Sequence, residues 1–265
     1  MTSVELRNVT KIYEAAARRG APTAALEPVS ISVADGEFVA LLGPSGCGKS
    51  TLLNLIAGLI PASSGRIEVG CKPVVGPGPD RAMVFQQPSL LPWRTAAANV
   101  RYGLQMRGTN TAAEQRERVA WALDLVGLTT FADHYPHQLS GGMQQRVNLA
   151  RAMAAMPKVL LLDEPFGSLD AITRQQMQSE LARICSVTTC TVILVTHDIS
   201  EALFLADRIV VMTDRPGRVR TTATVPFGRP RPEEVRIEPR FVELEHQLWN
   251  SLQTTDPPTA AGGAI

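Results

Sequence analysis

"EFVALLGPSGCGKSTLLNLIAGL", Glu37 to Leu59, is the stretch whose reading decides the fold. "EFVALLG" is a nearly continuous apolar run, which predicts a strand buried on both faces. "KSTLLNLIAGL" carries apolar residues at helical spacing and ends near Gly58 and Pro61. Between them, "GPSGCGKST", Gly43 to Thr51, fits G-x-x-x-x-G-K-[ST]. The strand–loop–helix setting turns that pattern into a phosphate cradle. Gly43, Gly46 and Gly48 let the backbone wrap closely, with Pro44, Ser45 and Cys47 between them, so that N–H groups point inward. Lys49 can reach the β- and γ-phosphates of a nucleotide. Ser50 is set to coordinate Mg²⁺, and Thr51 to bond a phosphate from the helix start.

Working outward, "VLLLDEP" runs four apolar residues into two acids. This predicts Asp163 and Glu164 at the carboxyl end of a buried strand, where α/β sheets bind ligands. Asp163 is expected to hold Mg²⁺, directly or through water, and Glu164 to polarise an attacking water. A structural N-cap role for either acid is the competing reading. His197 ends another apolar strand in "ILVTHD"; alone, such a histidine is more often just a satisfied polar residue. "LSGGMQQRV", Leu139 to Val147, places a serine and two glycines at a predicted helix start. Helix-start N–H groups lack intrahelical partners, so this is a second candidate anion site.

The 265 residues are 45% hydrophobic, enough for a substantial core. A net charge of +1 gives no electrostatic footprint for nucleic acid or anionic lipid. The four cysteines show no metal-ligand spacing and read as free thiols. No secretory signal is visible, and no apolar run is long enough to span a bilayer.

"SVELRNVTKIY" and "ALEPVSISV" alternate as half-buried strands. "GPGPDRAMVFQQPSLL" reads as loop around a short strand, Ala82–Phe85. From about Thr95 to Met156 only helical patterns occur. Strands return in "KVLLLDEP", "TVILVTHD" and "RIVVMTD", separated by the helical "AITRQQMQSELARIC" and "ISEALFLAD". That alternation implies a parallel sheet with crossover helices. After Asp214 the chain is rich in arginine and proline and reads as a solvated surface segment. "EPRFVELEHQLWNSL" predicts a last helix, and "TTDPPTAAGGAI" has the composition of a disordered tail.

In this order, "GPSGCGKST", "LSGGM", "LLLDEPFGSLD" and "THD" resemble the ATP-binding cassette (ABC) ATPases, over about Ser3 to Arg215. The resemblance implies an α/β fold, a P-loop NTPase (RecA-like) core with a helical subdomain insertion and an N-terminal antiparallel β region. The core would span about 1–88 and 157–215, the helical subdomain 89–156, a C-terminal extension 216–253 and a tail 254–265. The cofactors implied are ATP and Mg²⁺. Tyr13 matches the aromatic that stacks on adenine, and Gln86 the glutamine that touches Mg²⁺ or the attacking water. His197 matches the switch histidine, and Asp170 the acid that contacts the opposite subunit.

In such a family two cassettes pair head to tail. Ser140, Gly141 and Gly142 would bind the γ-phosphate of the partner's nucleotide, which explains the second anion site. The partner is a second copy or a homologous cassette, beside transmembrane permease subunits and, indirectly, a solute-binding protein. That implies a peripheral position on the cytoplasmic face of the inner membrane.

"GPGPDRAMVFQQPSLLPWRT", "DEPFGSLDAITR" and "YPHQLSGG" are similar to importer ATPases for nitrate, sulfonate, taurine and bicarbonate. The implied cargo is a small anion, with taurine or another sulfonate slightly ahead of nitrate. Leu90 to Arg94 would then meet a permease coupling helix, although Leu90, Leu91 and Trp93 also suit core packing. Three departures stand out: Met143 where many cassettes carry glutamine, a long segment between Tyr13 and the next strand, and Gly167 where serine is frequent. A soluble cassette acting on nucleic acid or ribosomes is the alternative. The single cassette and near-zero charge speak against it. The "LSGGM" segment speaks against a small-molecule kinase.

Overall fold

The computed structural model describes residues 2–14, 22–107 and 111–253. The predicted tail, 254–265, and most of the long segment after Tyr13 lie outside the described residues. Two sheets carry the fold. The first is antiparallel, in the order β2 (Thr23–Val33), β1 (Val4–Tyr13), β4 (Ser64–Val69), β5 (Lys72–Pro73). The second runs β10 (Val219–Thr224), β9 (Arg208–Met212), β3 (Phe38–Leu42), β8 (Thr191–Thr196), β7 (Val159–Asp163), β6 (Arg81–Val84). Its strands are parallel except β10, which pairs antiparallel with β9.

Every residue of β3 and β8 is buried, as continuous apolar strands demand. Their two faces feed two cores. Ala40, Leu42, Leu160, Leu162, Val192 and Leu194 join the larger one with the helices. Val39, Leu41, Val159, Leu161, Ile193 and Val195 join the second, with helix α1 (Lys49–Ala57) and the antiparallel sheet. The period-two alternation of side chains produces this division.

Between β6 and β7 the described residues are helical or loop. Helix α2 (Ala96–Arg107), helix α3 (Ala112–Leu125) and helix α4 (Gly141–Ala154) pack on one another. A Thr111–Glu114 capping box starts α3, and Ser140 caps α4. Helix α5 (Ala171–Val187) and helix α6 (Ile199–Leu205) connect β7 to β8 and β8 to β9, as expected of crossovers. No helix among the described residues is long and apolar enough to cross a membrane.

The segment after Asp214 is not simply a solvated surface segment. Strand β10 extends the central sheet. Val225, Val235 and three residues of helix α7 (Pro239–Gln253), Phe241, Leu244 and Leu248, belong to the larger core. The arginines act as staples. Arg231, only 5% exposed, donates to the carbonyls of Phe204 (2.8 Å), Ala206 (2.9 Å) and Phe227 (2.7 Å). It thereby satisfies the carbonyl end of α6. Burial draws its guanidinium down to about 10, which leaves it charged at neutral pH. Arg229 pairs with Asp207 at 2.7 Å, and Arg236 lies 4.0 Å from the ring centre of Phe204. Composition counts these charges as surface; a guanidinium with enough acceptors is stable inside.

Candidate nucleotide-binding site

The glycine loop links the end of β3 to α1. Gly46 and Gly48 have φ of +81° and +102°, and a Cβ on Gly48 would lie 2.7 Å from Leu26 Cδ2. Conformation and space both require glycine at position 48. Lys49 is only 4% exposed, and its Nζ donates to the carbonyls of Gly43 and Pro44, each at 2.7 Å. The ammonium therefore sits against the loop itself. Cys47 turns its side chain into the second core, so its backbone is the part that can meet a ligand. Burial pushes its thiol up.

Sheet order brings the acids to this loop. Strand β8 lies between β3 and β7, and Leu42 is level with Thr196 while Asp163 is level with Val195. Ser50 Oγ donates to Asp163 Oδ1 at 2.8 Å. Burial raises the Asp163 carboxyl; the Ser50 bond opposes this, nearby Glu164 adds to it, and Lys49 opposes it. Two hard oxygen donors, one on a carboxyl that resists ionising unaided, fit Mg²⁺.

Glu164 follows at φ +43°, its N–H donating to Val195 O at 3.0 Å. That positive φ is uncommon for a residue with a side chain. The His197 imidazole reaches it, with Nδ1 at 3.3 Å from Glu164 Oε1. Gln86 completes the group. A Cβ built on Gly167 would lie 3.0 Å from Gln86 Nε2 and 3.7 Å from Glu164 Oε2. Gly167 thus leaves room for Gln86, so a serine there would press on the glutamine. Neither Asp163 nor Glu164 caps a helix; those positions fall to Asp170 on α5 and Asp198 on α6.

A cleft of about 240 Å³ opens over the loop, lined among others by Tyr13, Lys49, Ser50, Thr51 and Glu164. Arg215 also lines it, a residue the sequence reading did not single out. The turn after it is pressed on the loop: a Cβ on Gly217 would meet Cys47 O at 1.9 Å. The "RPG" turn signal at 215–217 was the available clue.

Ser140, Gly141, Gly142 and Asp170 are not among the residues lining this cleft. They form a second cluster. Ser140 Oγ accepts from Met143 N at 3.2 Å, and Asp170 Oδ1 from Thr173 N at 3.1 Å. A Cβ on Gly142 would lie 2.7 Å from Thr173 Cγ2, so the two helix starts touch. The Thr173 hydrogen bonds hold the exposed Asp170 carboxyl low. Met143 packs partly buried against the larger core, which gives the unexpected methionine a packing role.

Next to Gln86, Leu90 packs on the core and Leu91 is half-buried, while Trp93 is 70% exposed. The alternatives for these side chains therefore divide, with Leu90 inward and Trp93 outward. A groove of about 730 Å³ runs between Pro77, Phe85, Tyr102 and Arg151, and the Arg94 guanidinium lies 4.9 Å from the ring centre of Tyr102.

A lysine in a glycine loop after a central parallel strand, with acids at the ends of neighbouring strands, is the machinery of the P-loop NTPases. The chain has that fold, and the helical insertion with its capped "SGG" narrows the class. A family profile described as "ABC transporter" matches residues 26–167. The nitrate import ATP-binding protein NrtD of Synechococcus elongatus is 49% identical over 234 residues, 87% of this chain and 85% of that one. The bicarbonate transport ATP-binding protein CmpD of Synechocystis is 46% identical over 250 residues, 93% of this chain and 88% of that one. A solved structure, the dimeric post-hydrolysis state of the ATP-binding cassette MJ0796 bound to ADP and Pi, superposes with a TM-score of 0.73. It is 35% identical and covers 85% of this chain and all of its own. The chain belongs to the ABC transporter ATP-binding family, of importer type, whose members hydrolyse ATP with Mg²⁺ and couple hydrolysis to transport.

Proposed function

We propose that this chain powers uptake of a small anion, working as a head-to-tail pair of cassettes beneath a separate permease on the cytoplasmic face of the cell membrane. The observation that carries the pairing is the separation of the two anion-binding features. Ser140–Gly142 stand apart from the residues that line the chain's own cleft. A phosphate for them would come from a second cassette, and the MJ0796 cassette is described as dimeric. Asp170, beside them, would face the same partner.

Within the cleft Lys49 supplies positive charge to the phosphates, and the loop N–H groups orient them. Ser50, Asp163 and Gln86 would hold Mg²⁺, which offsets charge on the phosphates. Tyr13 offers its ring to adenine, and Arg215 adds a cation at the cleft wall. Glu164 accepts the proton of the attacking water, and His197 steadies Glu164 through Nδ1. The balance is ATP and water to ADP and phosphate.

The groove lined by Phe85 and Tyr102, together with the exposed Trp93 nearby in sequence, would be the docking surface for a permease. Movement there would be felt at Gln86, one residue from Phe85 in the groove wall. For the cargo, the subfamily segments favour a sulfonate such as taurine slightly, and the named relatives support nitrate and bicarbonate equally well. A solute-binding protein would make the choice outside the membrane. Co-expression with the adjacent membrane subunits, followed by ATP-dependent uptake of labelled taurine, nitrate and bicarbonate into vesicles, tests the reading. Co-purification with ribosomes or nucleic acid instead of membrane subunits would sink it.

A further inference from the structure

A ring of hydrogen bonds closes around His197. Asp198 caps α6, its Oδ1 accepting from Glu201 N–H at 3.0 Å. Thr196 Oγ1 accepts from Asp198 N–H at 3.0 Å and donates to Glu201 Oε2 at 2.8 Å. This is a capping box with a threonine hydroxyl inserted between the N3 glutamate and the cap's N–H. The two residues that Glu201 ties down are the immediate neighbours of His197. The His197 side chain itself is 57% exposed and reaches Glu164 through one contact. Its backbone anchoring therefore decides where the imidazole points.

Glu201 is an unusual residue for this duty. It is 5% exposed on a helix with six of its seven residues buried, and its Oε1 has no hydrogen-bond partner among the described residues. A buried carboxylate with one hydrogen bond is costly, so the neutral acid is the stable form. Burial pushes its carboxyl up to about 8; the Thr196 bond lowers it, Asp198 raises it, Arg174 lowers it and Glu164 raises it. Those charges come from α6's own cap, from α5 and from the end of β7. Arg236, on the 3-10 turn packed against α6, is held by Gln178 at 2.7 Å and Ser200 at 3.0 Å. From α7, Glu245 and His246 line a cavity with Ile199 and Ser200.

We propose that Glu201 is a positioning residue for hydrolysis: as a neutral acid it holds the Thr196–His197–Asp198 segment so that His197 stays against Glu164. Ionisation puts another negative charge near Glu164 and Asp198 and leaves a buried anionic oxygen without a donor. The ring then opens towards water and His197 is released. The proposal rests on the roles assigned above to His197 and Glu164.

Two measurements on the full chain test it, each with wild type, Glu201→Gln and Glu201→Ala. In the first, Mg-ATP hydrolysis is followed from pH 6.5 to 9.5. Wild-type kcat should fall about tenfold per pH unit above about 8, with KM unchanged. Glu201→Gln should match wild type at pH 7 and lack that limb, and Glu201→Ala should lose kcat at every pH. In the second, NMR of ¹⁵N-histidine-labelled protein follows the His197 ring, assigned with a His197→Ala variant. Its resonances should show a transition with a midpoint near 8 in wild type that is absent from Glu201→Gln. A folded Glu201→Gln as inactive as Glu201→Ala, or one that keeps both alkaline transitions, overturns the proposal. If the resonances behave as expected but the kinetics do not, Glu201 keeps its hold on His197. The role of His197 in hydrolysis is then what fails.

Discussion

Oε1 of Glu164 lies 3.3 Å from Nδ1 of His197, which ties the end of β7 to the end of β8 directly beside the phosphate loop. The pair gives the first prediction. Glu164→Gln keeps the shape and removes the base. Hydrolysis should fall about 10²- to 10⁴-fold, the range that general bases supply. ATP binding should survive, and an ATP-bound dimer should accumulate in size-exclusion chromatography. Turnover at the wild-type rate would remove Glu164 from the reaction.

Ser140→Asp tests the trans assignment. Aspartate caps helices as well as serine does, so α4 should stay intact. Its charge would repel the γ-phosphate of a nucleotide on the opposing cassette. Hydrolysis should collapse while the monomer's ATP affinity, set at Lys49, changes less than about twofold, or roughly 0.4 kcal/mol. Fluorescent-nucleotide titration of the monomer checks this, and a lost monomer affinity contradicts it.

Trp93 is 70% exposed, next in the chain to Arg94, whose guanidinium lies 4.9 Å from the ring centre of Tyr102 in the groove wall. Trp93→Ala should change the melting temperature and the basal hydrolysis of the isolated chain very little. Pull-down of the permease subunits should drop strongly, since exposed aromatics are frequent anchors at interfaces. Unchanged permease binding would reassign the groove.

Arg231→Ala leaves three carbonyls unserved, those of Phe204, Ala206 and Phe227. The expected loss is about 3 kcal/mol, the scale of hydrogen bonds to a buried charged group. For a chain of this size that is roughly 6–12 °C in Tm, read by thermal denaturation. A shift below about 1 °C would return the C-terminal segment to the status of a solvated strap.

Glu201 makes a pH prediction about stability. Its folded value, about 8, lies above the ordinary 4.5. Between those limits the folded state keeps a proton that the unfolded state has released. Unfolding therefore releases a proton, and stability falls as pH rises through this window. Glu201→Gln removes the effect, so its stability relative to wild type should improve from pH 5 to pH 8 in urea denaturation. A difference that stays constant with pH would mean that Glu201 is ionised throughout.

Much of the site was legible because it is built from short, local patterns. The phosphate loop lies between one strand and one helix, and Asp163, Glu164 and His197 sit where apolar strands stop. Two of the strands that escaped the sequence reading are β4, between β1 and β5, and β10, at the edge of the central sheet. "SGRIEV" and "VRTTAT" are half-exposed and carry charges or hydroxyls, so their patterns resemble loops. Glu201 escaped for a different reason. In "ISEALFLAD" it looks like an ordinary helical glutamate, and only the spacing Asp198–Glu201 hints at a capping box.

The sequence by itself determined most of the elements, the phosphate loop and the family, since backbone conformation and side-chain periodicity are written within a few residues. Tertiary structure alone decided what those elements do together. Placing β8 between β3 and β7 joins residues more than a hundred positions apart, such as Ser50 and Asp163. The starts of α4 and α5 meet at Gly142 and Thr173, and Ser140–Gly142 are not among the residues that line the chain's own cleft. Burial of α6 pushes the carboxyl of an unremarkable glutamate up to about 8. Each of these depends on which surfaces exclude water, and that is a property of the assembled fold.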